Sequence, residues 1–173
     1  MSNIFESDDF KCLFPTLKKR LTRELELLIN LKICDKENIS ISFDETNNKN
    51  IDRYINLTLY NNEDSRLYEF KFPRCYPFSP PKLNINFKPY NSYLSFYSND
   101  FKNELYRQKK IYCFCCSTKL CGENWRPQCN MKHLMDEVNQ YHKICREIAD
   151  NIIIKVIKRK YLIDDINIIS WLY

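Results

Sequence analysis

Glycine is almost absent from this 173-residue chain, where Gly122 stands alone. Phosphate-cradling loops need several glycines for tight turns and close backbone approach, so nucleotide-binding folds built on such loops are excluded. Long apolar runs are missing as well, and none approaches the roughly 20 residues of a membrane helix. The opening MSNIFESDDFK has no basic stretch followed by an apolar one, so it does not read as a secretory signal. A cytoplasmic or nuclear setting is expected, with no membrane partner. Neither sign of charge dominates: the formal net charge is +5. Small basic clusters at Lys18-Lys19-Arg20 and Lys158-Arg159-Lys160 are not interleaved with aromatics, so nucleic acid is not an expected partner.

Cysteine, in contrast, is abundant. Nine are present, an odd number in a chain without a secretory signal, which argues against a disulfide framework. Four of them, Cys113, Cys115, Cys116 and Cys121, fall within one short stretch and need a chemical explanation. With 44% hydrophobic and 28% charged residues, the chain has the composition of a globular domain. One domain over residues 1–173 is expected, with a core at about 14–148 and a helical extension at 149–173.

Leu17, Leu21, Leu25 and Leu28 recur at helical spacing after Pro15, predicting an amphipathic helix over Thr16–Leu31. The period then changes to two. Ile39, Ile41 and Phe43 alternate with polar residues, Tyr54 to Tyr60 alternates less strictly, and Tyr68, Phe70 and Phe72 and then Leu83, Ile85 and Phe87 resume the pattern. Asn-rich stretches at Thr46–Asn50 and Asn61–Asp64 read as turns. Tyr90 to Lys110 has weak periodicity and reads as an irregular loop with room for a short helix. Asn130 is placed to cap a helix running to about Ile148, with Met131, Leu134, Met135, Val138, Tyr141 and Cys145 as its apolar stripe. One or two further helices fill Asp150 to the C-terminus. The expected fold is α+β: an N-terminal helix, a four-stranded antiparallel meander and C-terminal helices.

Two motifs carry more. Phe72-Pro73-Arg74-Cys75-Tyr76-Pro77-Phe78-Ser79-Pro80-Pro81-Lys82-Leu83 closely resembles the F-P-x-x-Y-P-F-x-P-P-K-[VL] segment between the third and fourth strands of ubiquitin-conjugating (UBC) enzymes. Each proline fixes φ and deletes a backbone donor, so this segment must leave the ladder as a rigid loop. Downstream, Trp125-Arg126-Pro127 before the Asn130 helix is similar to the family's W-S-P. The resemblance spans roughly Leu17 to Arg146 and implies a UBC-like fold. It also implies transferase activity: ubiquitin or a ubiquitin-like protein is accepted as a cysteine thioester and passed to a lysine or a ligase. A thiol suits this work, being nucleophilic once ionised and leaving an ester reactive toward amines. No cofactor is implied. The partners implied are the ubiquitin-like protein, its activating enzyme and a ubiquitin ligase.

The family's nucleophile lies just before the W-S-P segment, and two thiols compete for that role. Cys113 has the apolar flanks Tyr112 and Phe114 that resemble the family's x-I-C-L, but it stands twelve residues before Trp125, beyond the usual spacing. Cys116 stands nine before it and fits that spacing better, with Ser117 in place of an apolar neighbour, so the flanks place Cys113 first and Cys116 second. Strand-like alternation would turn Tyr112 and Phe114 inward and Cys113 outward. The family's His-Pro-Asn tripeptide is absent, leaving Asn91 as the candidate amide donor to an oxyanion. By the same resemblance, Phe78, Trp125 and Pro127 belong to the ligase-binding loops. Lys18, Lys19 and Arg23, with Arg20, belong to the face of the first helix that meets the activating enzyme. Two alternatives stand beside this reading: a catalytically silent UBC variant, or a module like the RWD interaction domains, which keep the Y-P-x-x-x-P part without a thioester. A zinc site among the clustered cysteines competes for the same thiols, although adjacent Cys115-Cys116 fits paired zinc knuckles poorly. No residue is assigned to a metal from the sequence. His142 and Cys145, three apart on the predicted helix, read as a surface histidine beside a core cysteine.

Overall fold

Leu17, Leu21, Leu25 and Leu28 bury one stripe of a helix, α1, that spans Pro15–Asn30. The computed structural model describes residues 13, 15–43, 55–95 and 97–161. Pro15 opens α1, where its missing N–H costs nothing. The helix ends in a Schellman turn: the Lys32 N–H donates to the Ile29 carbonyl and the Ile33 N–H to the Leu28 carbonyl. Lys32 takes the left-handed conformation this requires, φ 58°, and Ile33 is buried beside Leu28.

Strands β1 (Ile39–Phe43), β2 (Ile55–Asn61), β3 (Arg66–Phe72) and β4 (Lys82–Ile85) form the expected antiparallel meander. Ile41 pairs with Leu57, Leu57 with Phe70, and Phe70 with Leu83. Leu57, Leu59, Tyr68, Phe70, Phe72, Leu83 and Ile85 thus line one face, with Phe70 stacked between Tyr68 and Phe72. Truncating a fully buried side chain of this kind costs about 2–5 kcal/mol, and these rows fix the register.

The sheet has five strands rather than four. After Ile85 the chain reverses in a two-residue turn and returns as β5 (Lys88–Pro89), with Ile85 paired to Lys88. Both turn residues, Asn86 and Phe87, have positive φ, 48° and 64°, the type I′ pattern that follows the twist of a hairpin. Phe87 therefore does not continue the buried alternation of Leu83 and Ile85. It is 75% exposed.

The segment read as an irregular loop holds two helices, α2 (Tyr90–Tyr93) and α3 (Asn99–Lys109). Ser98 caps α3 by accepting a hydrogen bond from the Phe101 N–H, and Lys110 ends it with φ 58°. A four-residue helix, α4 (Phe114–Ser117), carries the cysteines. Then α5 runs unbroken over Met131–Tyr161, where a shorter helix followed by others was expected. Nothing between Ile148 and Tyr161 breaks the ladder, since that stretch lacks Gly and Pro. The Asn130 side chain caps α5 as predicted, accepting from the His133 N–H at 3.0 Å. Trp171 and the Thr46–Asn50 turn lie outside the described residues. Among the described residues, no helix is long and apolar enough to cross a membrane.

Candidate functional site

Four prolines, Pro73, Pro77, Pro80 and Pro81, take the chain out of the sheet between β3 and β4. The loop folds on itself: the Tyr76 N–H donates to the Pro73 carbonyl, and the Phe78 N–H to the Cys75 carbonyl. The Tyr76–Pro77 bond is cis. Tyr76 is buried against Phe72, whereas Phe78 is 79% exposed.

This loop and the tryptophan segment dock on each other. The Trp125 indole N–H donates to the Pro77 carbonyl at 2.7 Å, and its ring lies 6.0 Å from that of Tyr76. Trp125 is 4% exposed, so it serves as the post between two loops rather than as a contact for a partner. Exposed Phe78 and half-buried Pro127 are the members of the predicted ligase-binding set that remain reachable.

A buried carboxylate holds this end of the molecule. Glu24, on the apolar stripe of α1, accepts from the Tyr76 hydroxyl at 2.6 Å, from the Met131 N–H at 2.9 Å and from Arg20 Nε. One side chain thereby joins α1, the proline loop and the first turn of α5, where the helix dipole favours negative charge. Burial, and then the Glu24 charge, push the Tyr76 hydroxyl far above its ordinary pKa, so it acts only as a donor. Arg20 also reaches the Cys129 carbonyl at 2.8 Å and lies over the Tyr76 ring. It is thus turned inward, away from the predicted basic face. Lys19 and Arg23 are exposed one turn apart on α1, with half-buried Lys18 beside them.

The cysteine segment is anchored at three points. Phe114 is buried between the rings of Tyr97 and Tyr141. Glu137, buried on α5, accepts from the Thr118 hydroxyl and from the Lys119 N–H. The Asn124 amide donates to the carbonyls of Cys116 at 2.7 Å and Thr118 at 3.0 Å. Glu24, Glu137 and Asn124 were not singled out in the sequence. The readable signal was a glutamate standing on each helix's apolar stripe.

The expected strand alternation around Cys113 does not occur. Tyr112 is 76% exposed and packs on Tyr106 at 4.4 Å, so only Phe114 of the two flanks points inward. Cys113 has extended backbone at the start of α4 and is half-buried, its sulfur joined to that of Cys115 in a disulfide. Cys116 is an exposed free thiol with its sulfur 3.8 Å from that of Cys115. Among the described residues, Cys113, Cys115 and Cys116 are the group whose donor atoms could hold a metal, all within 4.8 Å of one another. Cys121 is outside that group.

Asn91 is exposed on α2, and its carbonyl accepts from the Leu94 N–H and the Ser95 hydroxyl, the bonding of an ordinary turn residue. His142 lies against the Tyr93 ring, while the Cys145 sulfur is 3.2 Å from the Tyr97 hydroxyl. Burial lowers the pKa of His142 and raises that of Cys145, consistent with packing roles. The chain matches no protein-family model, no curated protein and no solved structure.

Proposed function

We propose that this chain is a ubiquitin-conjugating enzyme with a divergent active site, carrying ubiquitin or a ubiquitin-like protein as a thioester on Cys116. The observation that carries the reading is the hydrogen bond from Trp125 to Pro77, which brings the two family-like motifs together beside an exposed thiol. An order of helix, antiparallel meander, proline loop, cysteines, tryptophan and helix is the one the resemblance implies. Cys116 is preferred to Cys113 because an acyl carrier must be reached by a flexible polypeptide tail and then by an amine, and Cys116 is both free and exposed. In the first transfer, the Cys116 thiolate attacks the carbonyl of the thioester on the activating enzyme, and that enzyme's thiolate leaves. In the second, a lysine amine attacks the new thioester, an isopeptide bond forms, and the Cys116 thiolate departs as the amine loses its proton. Asn124 is a positioning residue: both of its amide hydrogens are committed to the cysteine segment, so it steadies the nucleophile without touching the acyl group. Lys19 and Arg23 supply the face for the activating enzyme, and Phe78 with Pro127 the face for a ligase.

The test is charging. Incubation with activating enzyme, ATP and ubiquitin is expected to give a conjugate one ubiquitin heavier, released by a thiol reductant. If no such band forms with ubiquitin or with a panel of ubiquitin-like proteins, each with its own activating enzyme, the carrier reading fails. Ligase binding retained through Phe78 in that case would establish the silent variant.

A further inference from the structure

We propose that Cys113, Cys115 and Cys116 form a three-thiolate site for a thiophilic d10 cation, with zinc the first expectation. Their placement is built rather than incidental. Buried Phe114 fixes the middle of the segment, and Cys113 is extended, at φ −156° and ψ 129°, immediately before α4 turns. That bend, with the Cys113–Cys115 disulfide across it, gathers three sulfurs from four consecutive residues within 4.8 Å of one another. A zinc–sulfur bond of about 2.3 Å in tetrahedral geometry sets neighbouring sulfurs about 3.8 Å apart. The sulfurs of Cys115 and Cys116 lie 3.8 Å apart. Thiolates select soft or borderline metals, whereas calcium and magnesium require oxygen ligands that this cluster does not offer. Cys115 and Cys116 are exposed, so a fourth coordination position opens to solvent, as in zinc sites that keep three protein ligands and a water. Cys121 and Cys129 stand outside the set.

Loading requires the reduced chain. Two equivalents of a thiol reductant convert the Cys113–Cys115 disulfide to two thiols and are themselves oxidised to one disulfide. The cation then displaces a proton from each of the three thiols. This inference does not rest on the ubiquitin reading, because the metal is read directly; a Cys116 thiolate bound to the cation is not free to carry an acyl group, so the metal-loaded and the charged chain are mutually exclusive states.

The experiment is a titration of the reduced, oxygen-free full-length protein with Co2+, whose thiolate complexes absorb. One equivalent is expected to develop a sulfur-to-cobalt charge-transfer band together with tetrahedral d–d bands, and Zn2+ is expected to bleach both. Cys113→Ser, Cys115→Ser and Cys116→Ser are each expected to weaken binding more than about tenfold, beyond the low end of what loss of an outer-shell partner costs. Cys121→Ser and Cys129→Ser are expected to leave it unchanged. Absence of the charge-transfer band in the unmutated chain overturns the proposal. So does unchanged affinity for Co2+ in Cys113→Ser, or weakened affinity in Cys121→Ser or Cys129→Ser. Far-UV circular dichroism shows that each variant is folded, and the unmutated titration decides alone if one is not.

Discussion

In the charging assay, with reductant present during preparation and a chelator selective for zinc over magnesium throughout, Cys116→Ser is expected to lose the reductant-sensitive conjugate completely. A slower adduct that survives reductant and yields to mild alkali replaces it, since thiols cleave thioesters readily and oxygen esters poorly. Cys113→Ser is expected to keep the reducible band. The difference follows from placement: Cys116 is exposed and free, with its carbonyl clamped by Asn124, whereas Cys113 is half-buried at the foot of α4. Asn124→Ala is a graded companion, because it should slow charging without changing the reductant sensitivity of the product. A result with the two serine variants exchanged, Cys113→Ser silent and Cys116→Ser active, removes Cys116 from the role. It would make apolar flanks a better guide than spacing to the tryptophan.

The second large effect is on stability. Glu24→Ala leaves the Tyr76 hydroxyl and the Met131 N–H buried without their acceptor and Arg20 without its carboxylate. Removing one partner from a buried, hydrogen-bonded charge network costs about 3–5 kcal/mol. For a chain of this size that is a fall in melting temperature of about 10 °C. Glu24→Gln keeps the shape and loses the charge, so it should fall between the two. Denaturant unfolding followed by circular dichroism reads the loss, and a change below about 1 kcal/mol would mean that water replaces the carboxylate at little cost. Because Tyr76 contacts Trp125, this variant should also blunt charging out of proportion to its folded fraction.

What was legible in the sequence divides along a physical line. Helix α1 and strands β1 to β4 were legible because apolar side chains mark most of their buried faces at a regular period, although the β4 reading ran on to Phe87, which lies in the following turn. Helix α3 was legible only as room for a short helix within an irregular loop, because its buried face is Phe101, Glu104 and Leu105, with a carboxylate at the position that should be apolar. Arg107, Lys155 and Gln108 all donate to Glu104, which holds its carboxyl well below the ordinary range and ties α3 to α5. Glu24 and Glu137 follow the same rule, each standing between buried leucines or aromatics one turn away. Periodicity counts such a residue as a defect, while in the fold it is the residue that reaches across to another segment. The inward turn of Tyr112 failed for a different reason. Its hydroxyl and ring both found Tyr106 on the surface, a pairing six residues away that a strand pattern cannot register.

The hairpin between β4 and β5 carries a consequence for how this surface is to be understood. Type I′ turns favour Asn followed by glycine, because a side chain at the second position strains the backbone by about 1 kcal/mol. Here Asn86 is followed by Phe87, with φ 64° and a ring left 75% in water. Phe87→Gly is therefore expected to raise the melting temperature by about 2–4 °C, read by the same unfolding curves. A substitution that improves folding at an exposed position separates two demands on one residue. Folding would choose glycine there, so the aromatic ring at that corner is kept at a cost to the stability of the hairpin.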